Sequence, residues 1–314
     1  MLFEKYIFKL QFVEDAYAPP YKGSMLRGAF GCALKTVMCG SIKKDCQECR
    51  LIERCLYARV FETVESGPQA KRPHPYVIEP PLETVTSYPT GESLEFGLLL
   101  FGQANDFLMF FLHAAELMGK RGIGKGAQGR ANCALESVRN LAGQVIYQPE
   151  VGRLLAEPAP QTLRLPPTPT GPSGEDAPPC DVTVVFHTPF RQKSQNRLLG
   201  ELPFQALTRA MLRRISGLFE YYGEGEPDLD YRGLVAKAAL TPTVASDLRW
   251  RAWERYSNRQ QSRMQLGGLV GSIRYAQVPA AYLPLLSLSR RLHLGKQTTF
   301  GLGLMDFNTE GAGA

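Results

Sequence analysis

The feature that most limits what this 314-residue chain can fold into is a proline-rich stretch, residues 149 to 180, holding nine prolines from Pro149 to Pro179. Such a stretch lacks apolar periodicity and each proline removes a backbone donor, so it suits an extended linker or long surface loop. It leaves a half of about 150 residues on either side, each large enough to bury a core of its own. Two domains are therefore expected, 1–148 and 181–314.

The two halves carry the same order of elements. In the first, Tyr6, Phe8, Leu10 and Phe12 alternate within Leu2–Val13 and predict a strand. A helix follows over Ser24–Val37, with Ser24 as its N-cap. Strands at Tyr76–Ile78 and Leu94–Phe101, a helix over Asn105–Met118, a glycine-rich turn at Gly119–Gly129 and strands at Ala131–Val138 and Gln144–Tyr147 complete the half. In the second, a strand over Asp181–His187, a helix over Phe204–Tyr222 and strands at Thr243–Arg249 and Gly268–Tyr275 come first. A short helix over Ala280–Leu292, a glycine-rich loop and a strand over Leu302–Phe307 end it. Strand, helix, two strands, helix, strand is the split βαβ pattern. The expected class is α+β, with tandem ferredoxin-like (RRM-like) domains, each with a glycine-rich loop before its last strand.

Composition excludes several classes. No apolar run approaches the ~20 residues that cross a bilayer, and the opening MLFEKYIFKLQF lacks the apolar core of a secretion signal. A cytosolic protein without membrane partners is expected, its seven cysteines reduced or metal-bound rather than paired. The net charge of +6 is uneven: residues 1–148 hold 17 basic and 15 acidic side chains, 149–180 hold 2 and 4, and 181–314 hold 17 and 11. Gly124, Gly126 and Gly129 match the GxGxxG pattern by letter. Here, however, the helix precedes the glycines and the strand follows, the reverse of a dinucleotide site. Neither glycine-rich segment ends in the Gly-Lys-Ser/Thr of a phosphate loop, and no GxSxG elbow is present.

Closely spaced glycines can instead let backbone amides approach phosphates, or simply form flexible turns. Lys120, Arg121, Lys125 and Arg130 accompany the first set. Gly295, Gly301 and Gly303 stand with Lys296, Thr298 and Thr299 in the second. Arg251, Arg255, Arg259 and Arg263 recur every four residues beside Trp250, Trp253 and Tyr256. On a helix they would form a cationic stripe able to follow a phosphate backbone, or a solvated face with the tryptophans in the core; in a β-hairpin the stripe would be lost. Cys39, Cys46, Cys49 and Cys55, spaced by six, two and five residues, form a Cys-rich insertion (39–55). They suit four thiolate ligands of a structural zinc or, second to it, an iron–sulfur cluster; free thiols are the alternative.

The segment Gly267–Phe307, GGLVGSIRYAQVPAAYLPLLSLSRRLHLGKQTTFGLGLMDF, resembles the C-terminal signature of the CRISPR precursor-RNA-processing endoribonucleases of the RAMP superfamily. The similarity extends to FHTPFRQK (Phe186–Lys193), LPFQALTRAMLRRI (Leu202–Ile215), WERYSNRQ (Trp253–Gln260) and LRGAFGCALK (Leu26–Lys35). The resemblance implies two ferredoxin-like domains and CRISPR repeat RNA as substrate, with other CRISPR effector subunits as further partners. It implies cleavage without a metal cofactor, by attack of the 2′-hydroxyl to leave a 2′,3′-cyclic phosphate and a guide RNA. The alternative is a RAMP subunit that holds guide RNA without cutting it.

Such chemistry needs a base, an acid and cations for the phosphorane. Of four histidines, His113 lies in an apolar helix, and His74 and His187 adjoin prolines or a strand end. His293 adjoins the glycine-rich loop and is the first choice. Many relatives carry a histidine near the first helix, and this chain has none between Met1 and Pro73. Tyr17, Tyr21, Lys22, Arg27 and Lys35 are the residues there that could replace it, with Tyr21 and Lys22 taken as catalytic and Arg27 and Lys35 as RNA-binding.

Overall fold

The alternation at the start of the chain becomes a strand, β1 (Leu2–Phe12), in which Tyr6, Phe8, Leu10 and Phe12 are buried. The computed structural model describes residues 1–39, 46–62, 72–169, 177–194, 197–198, 200–257 and 262–310. They divide into two units: Met1–Leu163 with Tyr221–Gly223, and Arg164–Glu220 with the residues from Glu224 on.

In unit 1, β1 is followed by β2 (Ala16–Tyr17), α1 (Gly23–Met38), 3-10 turns at Cys46–Glu48 and Ile52–Arg54, and a π-helical turn at Ala58–Glu62. Next come β3 (Tyr76–Glu79), β4 (Ser87–Tyr88), β5 (Ser93–Phe101), a 3-10 turn at Gly102–Phe107 and α2 (Leu108–Arg121). The strands β6 (Ile123–Gly126), β7 (Gly129–Ala131), β8 (Cys133–Arg139), β9 (Val145–Tyr147) and β10 (Gln161–Thr162) complete it. The main sheet runs β3-β5-β1-β8-β9, all antiparallel. Among β1, β3, β5 and β8 the order is second, third, first, fourth, as the split βαβ pattern requires. The helices carry apolar residues at three- and four-residue spacing, so each buries one stripe. Leu26, Phe30, Ala33 and Leu34 of α1 are buried, as are Leu108, Phe111, Leu112 and Ala115 of α2, and Phe30 stacks on Phe111 at 6.2 Å.

Three expectations change here. Ser24 lies inside α1, which begins after Lys22 with no side-chain cap. The 3-10 turn takes Asn105, whose side-chain amide donates to the Gly102 carbonyl at 2.8 Å, so α2 starts at Leu108. The proline-rich stretch is not free along its whole length: β10 pairs with Leu2 and Phe3, and the Met1 ammonium donates to the Leu163 carbonyl at 3.0 Å.

Unit 2 contains β11 (Cys180–Phe190), a two-residue-strand hairpin of β12 (Lys193–Ser194) and β13 (Arg197–Leu198), α3 (Phe204–Tyr222) up to Glu220, and α4 (Tyr231–Ala238). Then follow β14 (Thr243–Ser246), β15 (Arg249–Arg251), β16 (Glu254–Ser257), β17 (Ser262–Gln265), β18 (Gly268–Val278), α5 (Leu283–Leu292) and β19 (Met305–Glu310). Its sheet order, β14-β18-β11-β19, repeats the same topology, with β15 also on the β18 edge. Phe204 at the start of α3 meets Tyr275 and Tyr282 edge-on at 4.9 and 5.0 Å, and the Tyr275 hydroxyl donates to the Leu202 carbonyl at 2.7 Å.

The described residues between Arg249 and Gln265 form strands and no helix. Their backbone groups pair with β18 (Trp250 with Leu269) and then between β16 and β17 (Arg255 with Met264, Tyr256 with Arg263). The four-residue arginine spacing therefore does not make a helical stripe, because Arg251, Arg255 and Arg263 belong to three different strands, β15, β16 and β17. Arg259 lies outside the described residues.

Candidate nucleic-acid interface

In unit 2 the glycine-rich segment after α5 serves chain closure. His293 (φ 56°), Gly295 (84°), Gln297 (62°), Gly301 (82°) and Gly303 (77°) are all left-handed, and the segment folds back on β11 and on itself. A Cβ at Gly295 would stand 2.5 Å from the Arg191 carbonyl oxygen, and one at Gly303 only 1.8 Å from that of Leu294. The Lys296 N–H donates to the Arg191 carbonyl at 2.8 Å, and the Gly303 N–H to that of Pro189 at 3.1 Å. The Thr188 hydroxyl donates to the Gly301 carbonyl (2.7 Å) and accepts from the Leu304 N–H (2.9 Å). Thr298, Thr299, Gly301 and Gly303 are buried, and Lys296 is exposed. The expected phosphate cradle is thus a packed turn that presents one cation to solvent.

His293 changes role with it. Its ring is 1% exposed, and Nδ1 lies 3.1 Å from the Leu302 carbonyl oxygen, a geometry that puts a proton on Nδ1 and fixes the ring across the turn. An imidazole so enclosed stabilises the loop and does not meet a phosphodiester as it stands.

In unit 1, Lys22 has no exposed surface. Its ammonium donates to the Glu83 carbonyl at 3.1 Å and lies 5.6 Å from the centre of the Tyr88 ring, beneath the exposed residues 82–86. Burial holds its pKa below the ordinary lysine value, with Glu83 acting the other way. Tyr21 is half-buried, and burial drives its hydroxyl well above the usual tyrosine range, so it can donate a hydrogen bond but not serve as a base near neutrality. Tyr17 is 60% exposed and pairs in β2 with Lys125 of β6. The glycine-rich segment here is a hairpin, β6–β7, with Lys125 and Arg130 exposed and Gly124 beside Met25 of α1. Just before α1, Tyr17 of β2 is thus paired with Lys125 of the hairpin, which also exposes Arg130, and Tyr21 and Lys22 lead into the helix.

Arg27 and Lys35 do not join them. The Arg27 guanidinium lies 4.3 Å from the centre of the Phe61 ring and acts electrostatically on the Tyr76 hydroxyl, and Lys35 stands near Cys46, so both turn toward the segment 46–62. That segment also decides the cysteines. Cys46 and Cys55 pack against the unit 1 core. Burial raises the Cys46 thiol pKa, Lys35 lowers it, and Glu62, Cys55 and Cys39 raise it further. Among the described residues no three histidine, cysteine or carboxylate side chains are grouped as a metal ion needs. No helix among the described residues is long and apolar enough to cross a membrane.

On the edge of the unit 2 sheet, Arg249, Trp250 and Arg251 are exposed. Arg249 and the exposure of Trp250 were not foreseen; the only local signal is the alternation RWRAW, which suits an edge strand.

Two family models match the chain: a model of an N-terminal domain, AF_1859_N, over residues 1–159, and CRISPR-associated endoribonuclease Cas6 over residues 184–305. A curated relative, an uncharacterized protein of Archaeoglobus fulgidus, is 22% identical over 298 residues, 91% of each chain. Among solved structures, a partial Cas6-RT-Cas1–Cas2 complex matches all of this chain with a TM-score of 0.58 at 14% identity. This chain spans about half, 47%, of the length of that one. Thermus thermophilus Cas6 matches 98% of each chain at 13% identity and a TM-score of 0.53. Its product complex covers 98% of this chain and 99% of its own at 16% identity and 0.55. These structures share the fold, and the family model names the chemistry that the fold carries in residues 184–305. Residues 1–159 thus belong with the AF_1859_N N-terminal domains, and residues 184–305 match the CRISPR-associated endoribonuclease Cas6 family, as the C-terminal resemblance led us to expect.

Proposed function

We propose that this protein binds CRISPR repeat RNA and cuts one phosphodiester bond in it without a catalytic metal ion, releasing guide RNA. In this reaction a base takes the 2′-hydroxyl proton, the 2′-oxygen attacks phosphorus, and the bond from phosphorus to the 5′-oxygen breaks. That oxygen takes up a proton, leaving a 2′,3′-cyclic phosphate and a 5′-hydroxyl. The match of residues 184–305 to the Cas6 endoribonuclease family carries the reading. The grouping at the start of α1 supports it: a lysine of lowered pKa suits proton transfer, and Tyr21 suits donation to the phosphorane. Lys125, Arg130 and, in unit 2, Lys296 and Arg251 are the exposed cations for the RNA backbone. Binding RNA must move residues 82–86 aside to uncover the Lys22 ammonium.

Incubation with the repeat RNA of a CRISPR array beside its gene, in EDTA, tests this. One cut with a cyclic phosphate end is expected, lost in Lys22→Ala and weakened at low RNA concentration in Lys125→Ala/Arg130→Ala. RNA left intact by excess protein refutes it. The burial of His293 and Lys22 favours a second reading, a RAMP subunit that holds guide RNA uncut. That protein would bind RNA with a steep salt dependence in the same assay and yield no product.

A further inference from the structure

Trp250 stands apart from the other large aromatic side chains of unit 2. Phe204, Tyr275 and Tyr282 are buried in its core, whereas Trp250 is 44% exposed on the outermost strand of the sheet. It is also held in place. Trp250 is opposite Leu269 in the β15–β18 register, so Gly267, two residues away, falls on the same face. A Cβ on Gly267 would lie 3.0 Å from both Cζ2 and Nε1 of the indole, so the ring lies against bare backbone there and no larger residue would let it. With that side covered, the exposed surface faces away from Gly267.

The local sequence is basic. Residues 247–263 hold five arginines against Asp247 and Glu254. Arg249 and Arg251 precede and follow Trp250 on the strand, project to its opposite face and are exposed. Arg249 is ion-paired with Asp247 at 2.9 Å, and the Arg251 guanidinium lies 5.2 Å from the centre of the Trp253 ring.

We propose that Trp250, lying on Gly267 on the edge strand of the unit 2 sheet, is a stacking platform for one unpaired RNA base. This rests on the reading of the protein as RNA-binding and adds to it a site for a single-stranded nucleotide. A large flat π surface suits a base, and a base inside a duplex has no free face to offer it.

The chain has two tryptophans, so Trp253→Phe leaves Trp250 as the sole indole reporter while keeping a ring by Arg251. In that variant, an eight-nucleotide single-stranded oligoadenylate should quench the fluorescence saturably, and an RNA duplex of equal length should not. In the otherwise unchanged protein, Trp250→Ala should weaken single-strand binding about tenfold by gel shift, the scale of one base stack. Trp250→Phe should recover most of it. Gly267→Ala, which drives a methyl group against the ring, should behave like Trp250→Ala while the protein keeps its thermal transition. Single-strand binding unchanged in Trp250→Ala, or quenching equal for duplex and single strand, overturns the platform while leaving repeat-RNA cleavage as the test of the wider reading. If the unaltered protein binds no RNA, both fall together; if the indole is instead quenched by a co-purifying protein partner and not by RNA, the platform falls alone.

Discussion

Gly303→Ala should destabilise unit 2 severely, and the structure sets the scale. Gly303 has φ 77°, a left-handed conformation that strains an L side chain by about 1–2 kcal/mol. The added Cβ would stand 1.8 Å from the Leu294 carbonyl oxygen, which must retreat by about 1.6 Å to reach the 3.4 Å of ordinary contact. That retreat breaks the 2.9 Å bond from the Leu294 N–H to the Gly303 carbonyl, roughly 1 kcal/mol, and forces the packed turn apart, another ~1–3 kcal/mol. The sum is about 3–6 kcal/mol. Gly225→Ala is the internal control in the same unit: its φ is 117° and a Cβ there would meet nothing within 4 Å, so only the backbone strain applies. At roughly 2–4 °C per kcal/mol for a unit of this size, Gly303→Ala should lower the melting temperature by roughly 10–20 °C, against roughly 4 °C for Gly225→Ala. Thermal melts followed by circular dichroism measure both. If the two variants melt together, the turn is not packed as described, and its glycines serve an open cradle instead.

Further expectations concern single groups. Because burial lowers the Lys22 pKa below its unfolded value of about 10.5, the unfolded chain binds more protons between the two values and stability rises as the pH climbs through that window. Lys22→Met should abolish this rise in urea midpoints taken from pH 7 to 10.5, and parallel slopes would show that Lys22 is solvated. Asp181 accepts from the Gln277 N–H (3.1 Å) and from Arg274 (3.0 Å), both of which lower its pKa. Its contribution is present above the unfolded carboxylate pKa and lost as the pH falls through the folded one. Asp181→Asn should therefore lose less stability than the unaltered chain between pH 6 and pH 3. Iodoacetamide should modify exposed Cys32 first and leave Cys133, whose thiol is buried and pushed up to about 12, untouched until the protein unfolds; mass spectrometry of timed samples decides.

Local periodicity was enough for much of the architecture. The alternation of Tyr6, Phe8, Leu10 and Phe12 reports which face of β1 is buried, and the helical spacing over Phe204–Tyr222 matches α3 end to end. The same order of elements in both halves carried the split βαβ topology, since a strand and a helix with one apolar face each have few ways to cover one another. Boundaries drifted where a local interaction outweighed propensity, as at Asn105, whose amide bonds favour a 3-10 turn over an early start to α2.

The site was legible as a set of residue types and not as a place. Sequence alone determined that the chain has two ferredoxin-like halves, a cationic surplus in the second, and the C-terminal signature of a CRISPR-associated endoribonuclease. Tertiary structure alone decided which polar groups meet solvent. Arg27 is covered by Phe61, 34 residues away, and Lys22 by residues around Glu83. His293 is closed in by Leu302 across a turn, and Arg251, Arg255 and Arg263 are divided among separate strands. Periodicity is a property of neighbours along the chain, and it fixes which face of an element is apolar. The exposure of a charged or aromatic side chain depends on what distant segment lies over it, and that is settled only when the chain closes on itself.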